Sequence, residues 1–181
     1  MQLFDQAFIG DFLLRYLHIL VGVTWIGLLY YFNLVQVPAL AAYGDEGKAR
    51  MITLDKVARR ALWWFRWAAI ATLGTGLLIT GIVENYWSRS GDAHKYTISI
   101  GMILGTLMAA NVWMIIWKNQ KVVLANAVNV IGGAAADPAA AGAGRKALLA
   151  SRQNFIFSFS MLWFMVGPAH FYPAAFPDAT S

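Results

Sequence analysis

The sequence predicts an all-α integral membrane protein, a four-helix bundle with both termini on the outer side of the membrane. Of its 181 residues, 59% are hydrophobic and only 13% are charged. That leaves too few polar side chains for the shell of a soluble domain. The apolar residues form four continuous blocks, each about long enough to cross a ~30 Å hydrocarbon core. Because these blocks do not alternate apolar with polar residues, helices are favoured over membrane-spanning strands.

The first block, residues 12–37, follows the segment MQLFDQAFIGD, which is acidic rather than basic. No clear small-residue cleavage site follows it, so we expect a retained helix and not a cleaved signal peptide. The other three predicted spans are residues 61–83, 96–117 and 153–171. All four belong to a single transmembrane domain covering residues 1–181.

The connections between the blocks differ in character. In the first loop, residues 38–60, the apolar Met51, Leu54 and Val57 share one side, which predicts a helix lying on the inner membrane surface. The third loop, residues 118–152, first continues the third helix. It then becomes the low-complexity run GGAAADPAAAGAG, which is typical of a flexible linker.

The basic residues predict the orientation. The first and third loops each carry five Lys or Arg, whereas the second carries only Arg89 and Lys95 and the segment after Phe171 carries none. The positive-inside rule therefore places loops one and three in the cytoplasm. The net charge of +5 is then a topology signal and does not indicate nucleic-acid binding. The absence of cysteine excludes disulfides, thiolate metal sites and covalent c-type haem within this sequence.

Small residues spaced four apart predict where helices approach closely. They are Gly101, Gly105 and Ala109 in the third span, and Thr72, Gly76 and Thr80 in the second. Such stripes suit either helix packing or contact with a flat ligand.

His18 and its neighbours form the main candidate site. Arg15, His18 and Gly22 lie on one helix face in the outer half of the first span. Ionisable groups within a span are costly and usually functional. A porphyrin could lie in the gap at Gly22, with His18 binding the iron and Arg15 pairing with a propionate. The alternative is a histidine bonded to a neighbouring helix and an arginine that snorkels to the surface.

The other two histidines fall toward the same predicted side. His170 closes the last span and is the first choice for a second iron ligand. His94, in the outer loop just before the third span, is the second choice. Two imidazole ligands would make a six-coordinate haem b centre suited to electron transfer.

Polar residues in the inner halves of the spans are the weaker signals. Asn33, Arg66, Asn111 and Asn154 either hydrogen-bond helix to helix or line a second, inner site. The sequence contains no carboxylate pair, nucleophile triad, phosphate loop or dinucleotide motif. Whether the protein is an enzyme therefore stays open.

Four segments, one in each span, carry a family resemblance. They are LLRYLHILVGVTWIGLLYYFN, ALWWFRWAAIATLGTGLL, GMILGTLMAANVWMIIWKNQK and SRQNFIFSFSMLWFMVGPAHF. Together they resemble the membrane domain of bacterial membrane-bound urate oxidase (urate hydroxylase). The most specific parts are residues 105–111 and 18–27.

This resemblance implies a redox protein of the bacterial inner membrane, with His18, Arg66, Asn111 and His170 at family positions. Two departures separate the chain from the oxidases. Ala68 stands where they tend to have glutamate, and the sequence resembles a stand-alone form without the cytochrome c domain.

Three functions remain open at this point. In the first, the protein is a haem b electron carrier in the lipid bilayer, and its partner is a cytochrome c or a respiratory or oxidase complex. Alternatively, it is a cofactor-free accessory subunit of a larger membrane complex. A third possibility is a membrane oxidase of urate or another small substrate.

Overall fold

A computed structural model describes residues 12–83, 86–87 and 92–170, with side chains at all of these except 92–94 and 168–170. Four long helices and no strand account for this part of the chain. They are α1 (Phe12–Ala42), α2 (Gly47–Ile82), α3 (residues 92–131) and α4 (Ala139–His170). The expected all-helical class is confirmed.

A π-helical segment interrupts each of the first three helices. These segments are Tyr31–Gln36 in α1, Leu54–Ala58 in α2 and Val112–Ile116 in α3. Such segments locally shift the direction of the side chains and are frequent at functional sites. The second precedes the tryptophan-rich part of α2, the first contains Asn33 and Gln36, and the third begins directly after Asn111.

Three of the helical segments are long and apolar enough to cross a membrane: Phe12–Ala42, Gly47–Ile82 and Lys95–Ile131. With 31, 36 and 37 residues they are about 46 to 56 Å long, well beyond a ~30 Å hydrocarbon core. Their ends therefore extend past the bilayer. Residues 153–170 of the fourth predicted span lie within α4, which is long enough but is not among the three.

The predicted surface helix in the first loop is not a separate element. Residues 47–58 are the first turns of α2, because no proline or glycine interrupts the chain between Gly47 and Gly74. Their apolar side packs on the end of α3, where Leu54 and Ala58 contact Ala127. Leu54 and Ala58 on this side are therefore buried against α3, whereas Val57 is 46% exposed.

The predicted flexible linker is shorter than expected. Helix α4 begins at Ala139, so only residues 132–138 connect it to α3. The Asn126 side-chain oxygen accepts the backbone N–H of Asp137 at 2.7 Å, and the Asp137 carboxylate accepts the N–H of Ala139 at 2.8 Å. This cap starts a helix that the following alanines readily propagate.

The helices pack mainly as two pairs, α1 with α2 and α3 with α4. The buried core between them includes Trp25, Leu29, Phe65 and Met108. The α3–α4 contact is closest at Gly101, where an added Cβ would lie 3.3 Å from backbone atoms of α4. Part of the small-residue stripe in α3 therefore serves helix packing.

Candidate functional site

His18 lies in the contact between α1 and α2. Its Nδ1 atom is 3.0 Å from the Thr75 hydroxyl, and its side chain is half-buried. The ring rests against Gly76, where an added Cβ would lie 3.2 Å from the imidazole Cε1. Thr75 supplies a hydrogen-bond partner and Gly76 supplies room, so adjacent residues of α2 hold the imidazole in place.

The hydrogen bonds of Thr75 favour one tautomer of His18. The Thr75 hydroxyl has one proton and lies 2.7 Å from the Ala71 carbonyl and 3.1 Å from the Thr72 carbonyl. A carbonyl can only accept, so the hydroxyl proton is directed to α2 and the hydroxyl oxygen accepts from Nδ1–H. The lone pair of a neutral His18 then lies on Nε2. A histidine held through its other ring nitrogen is the usual arrangement for a metal ligand.

Gly22 does not border the open gap that its position suggests. A Cβ added there would meet the Thr72 methyl group at 3.8 Å, so the space beside Gly22 is filled by α2. The second helix approaches the first along this face because both present small residues. On the Gly22 side of His18 the structure therefore shows α2 and not an open gap.

Arg15 and Tyr86 lie near one another, at the end of the bundle that holds the start of α1 and the turn after α2. Arg15 is exposed on the first turn of α1, and Tyr86 belongs to the turn after α2. Burial raises the pKa of the Tyr86 phenol, and the positive charge of Arg15 opposes that rise. Arg15 and Tyr86 are therefore close enough for this charge to act on the phenol, and the role of Arg15 at the His18 site stays a prediction.

The two further histidines occupy the same end of the fold by their backbone positions. His94 belongs to the first turn of α3 and not to the preceding loop, and His170 is the last residue of α4. Their side chains lie outside the described residues, so their role as iron ligands stays a prediction. Among described residues there is no group of three or more His, Cys, Asp or Glu that could hold a metal ion.

A second polar cluster lies between α3 and α4. The Asn111 amide donates to the Asn154 side-chain oxygen at 2.8 Å and to the Ala150 carbonyl at 3.0 Å. Asn154 is 1% exposed and donates to the Met108 carbonyl at 3.0 Å. Asn111 and Asn154 therefore bond helix to helix, as one of the two sequence interpretations holds.

Helix α1 joins this cluster through α4. The Asn33 amide donates to the Ser151 hydroxyl at 3.0 Å, and the Ser158 hydroxyl lies 3.1 Å from the Tyr30 hydroxyl. The sequence analysis did not select these two serines. Ser151, Asn154 and Ser158 follow spacings of three, four and seven, so they share one face of α4, and that pattern was available as a signal.

Several polar atoms near this cluster have no partner. The side-chain oxygens of Asn33, Gln36 and Asn111 and the indole nitrogen of Trp25 are buried without a hydrogen bond to any described residue. A buried polar atom left unpaired costs roughly 1–3 kcal/mol. Three oxygens that can only accept are therefore suited to bound water or to a small molecule that donates hydrogen bonds.

Arg66 is held by contacts with α3 and not in this cluster. Its guanidinium lies 3.8 Å from the centre of the Trp117 ring, and its carbonyl accepts the Trp113 indole N–H at 3.2 Å. These contacts tie α2 to α3 and bury part of the charge against an aromatic face. Among the four polar residues singled out in the sequence, Arg66 is the one whose side chain packs on an aromatic ring.

Comparison with known proteins gives one family. The family model described as "Urate oxidase N-terminal" matches residues 89–181, which include all of α3 and α4. No curated protein and no solved structure matches the chain. The matched segment contains His94, Asn111, Asn154 and His170, whereas His18 precedes it. Because the match spans just over half of the 181 residues, the chain belongs to the urate oxidase N-terminal family.

Proposed function

We propose that this membrane protein binds haem b near its outer face and transfers electrons, with His18 as an axial ligand. The observation that carries the proposal is the imidazole held through Nδ1 by Thr75, which leaves Nε2 for iron. Membership of a family named after an oxidase supports a redox role. The redox partner would be a cytochrome c or a respiratory complex.

Each residue at the site has a distinct task in this proposal. Bound haem supplies the chemistry, since its iron changes between two oxidation states and carries one electron. Thr75 holds the His18 ring and its tautomer, and Gly76 gives the ring room. Arg15 offers a guanidinium to a propionate from the rim. His170 remains the first choice for the opposite ligand, with His94 second.

The proposed topology places both termini outside and four spans in the bilayer, with α4 as the fourth. It is supported by the Lys and Arg content of the two connections at the other end of the bundle. This arrangement puts His18 in the outer half of the membrane. A partner that accepts or delivers electrons would then approach from the outer face.

The test is an absorbance spectrum of the purified protein, oxidised and reduced. We expect a haem b spectrum in the parent protein and none in His18→Ala, with the helices still inserted. Thr75→Val should weaken haem retention about 10–100-fold, as loss of such supporting partners typically does. Thr75→Ser keeps the hydroxyl and should retain haem. A parent protein free of haem, or full haem in His18→Ala, would refute the proposal.

Further variants assign the remaining positions. Replacing Arg15 by Leu should weaken retention and shift the reduction potential, because a propionate would lose its cation. Replacing His170 should give a high-spin spectrum or lose the haem, whereas replacing His94 should change little. The opposite pattern for the two histidines would exchange their roles and leave the assignment of His18 intact.

A second candidate function is oxidation of urate or another small substrate. Three unpartnered acceptor oxygens at Asn33, Gln36 and Asn111 favour a ligand that brings hydrogen-bond donors. A substrate panel with an artificial electron acceptor tests this candidate. Turnover that disappears in Asn111→Leu but persists in Asn119→Leu, a variant at an exposed amide, would support it. Ala68 is buried and has no carboxylate that could act as a general base. The substrate panel is therefore repeated at several pH values, to show whether turnover depends on another titrating group.

A further inference from the structure

A groove lies between α2 and α3 at the end of the bundle opposite His18. Its volume is about 460 Å³, within the roughly 300–1,000 Å³ of small-ligand sites. The groove is open along one side. Its lining residues are Arg59, Trp117, Lys121, Leu124, Ala125, Val128 and Asn129.

The position of the groove relative to the bilayer follows from its aromatic residues. Trp117 lies at one end of the groove. The exposed Trp63, Trp64 and Trp67 lie on the neighbouring turns of α2. Exposed tryptophans prefer the membrane–water interface. Lys121 lies one turn beyond Trp117, about 6 Å along the axis, and so falls at the level of lipid phosphates.

Arg59 and Lys121 give the groove its charge. The Arg59 guanidinium is held by Asp55 at 2.8 Å and by the Leu124 carbonyl at 3.2 Å, so its direction is already set. Asp55 also pairs with Lys56 at 2.9 Å. With Arg60 and Lys118 close by in sequence, the basic groups around the groove outnumber the acidic ones.

The rest of the groove is lined mainly by apolar residues. Leu124 is buried and Ala125 and Val128 are exposed, and together with the polar Asn129 they line the groove beyond Lys121, on the side away from Trp117. On the membrane side of Trp117, the 71% exposed side chain of Met114 continues the same face of α3. A ligand that fits has an anionic head at Lys121 and an apolar chain that passes Trp117 toward Met114.

We propose that this groove binds an anionic phospholipid, with its phosphate between Arg59 and Lys121 and an acyl chain along Trp117. Basic pockets between transmembrane helices are known sites for acidic lipid headgroups. A soluble anion would make no use of Trp117 and of the exposed Met114 beyond it, and a zwitterionic lipid would bring no net charge to the cations. The site is independent of the haem proposal, because it lies at the other end of the bundle.

The test measures phospholipid binding to delipidated protein in detergent, by native mass spectrometry and by the midpoint of thermal unfolding. The probes are phosphatidylglycerol, phosphatidylcholine with the same acyl chains, and soluble glycerol phosphate. We expect phosphatidylglycerol to bind and to raise the midpoint, and the other two to have little effect. Equal binding of phosphatidylcholine, or an equal response to glycerol phosphate, would overturn the proposal.

Lys121→Gln locates the site, and Lys118→Gln is its matched control. Both lysines are exposed on α3, but only Lys121 lines the groove. Losing one cation near a lipid surface should weaken phosphatidylglycerol binding about fivefold in Lys121→Gln, with a smaller change in Lys118→Gln. Equal losses in the two variants would show general surface attraction and refute a specific groove. Both variants keep every described hydrogen bond, so we expect unchanged unfolding without lipid.

Discussion

Two glycines one turn apart on α3 make different demands on the packing of α4. A Cβ added at Gly101 would lie 3.3 Å from the Met165 nitrogen and from the Phe164 carbonyl carbon. A Cβ added at Gly105 would meet only side-chain atoms, the Met161 Cγ and the Met165 Cε, each at 4.0 Å. The first contact involves backbone that cannot rotate away, so α4 itself would have to move.

The same substitution at both positions isolates this difference. Gly→Ala in a helix is favourable by roughly 0.8–1.0 kcal/mol, and this gain applies at both sites. Overpacking typically costs about 1–3 kcal/mol, and it applies only at Gly101. We therefore expect Gly105→Ala to be stabilising by up to about 1 kcal/mol. Gly101→Ala should be less stable than Gly105→Ala by about 1–3 kcal/mol.

The assay is unfolding by SDS in mixed micelles, followed by circular dichroism, with both variants and the parent protein in parallel. The difference between the two midpoints is the informative quantity, because helix propensity cancels in it. If Gly101→Ala proved as stable as Gly105→Ala, the close α3–α4 contact would not exist and the packing argument would be wrong.

Three further predictions concern the polar contacts and the topology. Asn154→Ala should destabilise the protein by about 1–3 kcal/mol in the same assay, because the Met108 carbonyl loses the hydrogen bond from the Asn154 amide. Asn119→Ala should cost much less, because the Asn119 amide bonds only to a carbonyl of its own helix. Asn126→Ala removes the acceptor for the N–H ahead of α4, so amide exchange should quicken at residues 137–140 and not elsewhere. A reporter fused after Ser181 should show activity on the outer side of the inner membrane. Activity in the cytoplasm would show that the proposed topology is the wrong way round.

Two polar residues, Asn111 and Asn154, show which contacts can be predicted from single positions of the sequence. For Asn111 and Asn154 the sequence left two interpretations, helix-to-helix bonding or a second, inner site, and the two side chains bond to one another. Their further partners, the Ala150 and Met108 carbonyls, were unpredictable, since every helical residue offers a carbonyl and only packing selects one. Ser158 was missed because a serine can satisfy itself on its own helix, as it also does here with Phe155.

The connections show where the sequence pattern was misleading. The charged and apolar faces of residues 47–58 suit a membrane surface and suit the end of α3 equally well. Likewise, alanine and glycine in residues 132–144 resemble a linker by composition. A capping aspartate and a distant asparagine turn half of that run into helix.

Composition and hydropathy alone determined the helical membrane class, the approximate helices and the face that carries Arg15 and His18. These properties depend on local periodicity and on transfer of apolar residues from water, which are encoded along the chain. Only the tertiary structure decided that His18 is held by Thr75 over Gly76, that Thr72 fills the space at Gly22, and that Arg59 and Lys121 line one groove. Each of these arrangements brings together residues 50 or more positions apart, and their pairing depends on the rotation and depth at which two helices meet.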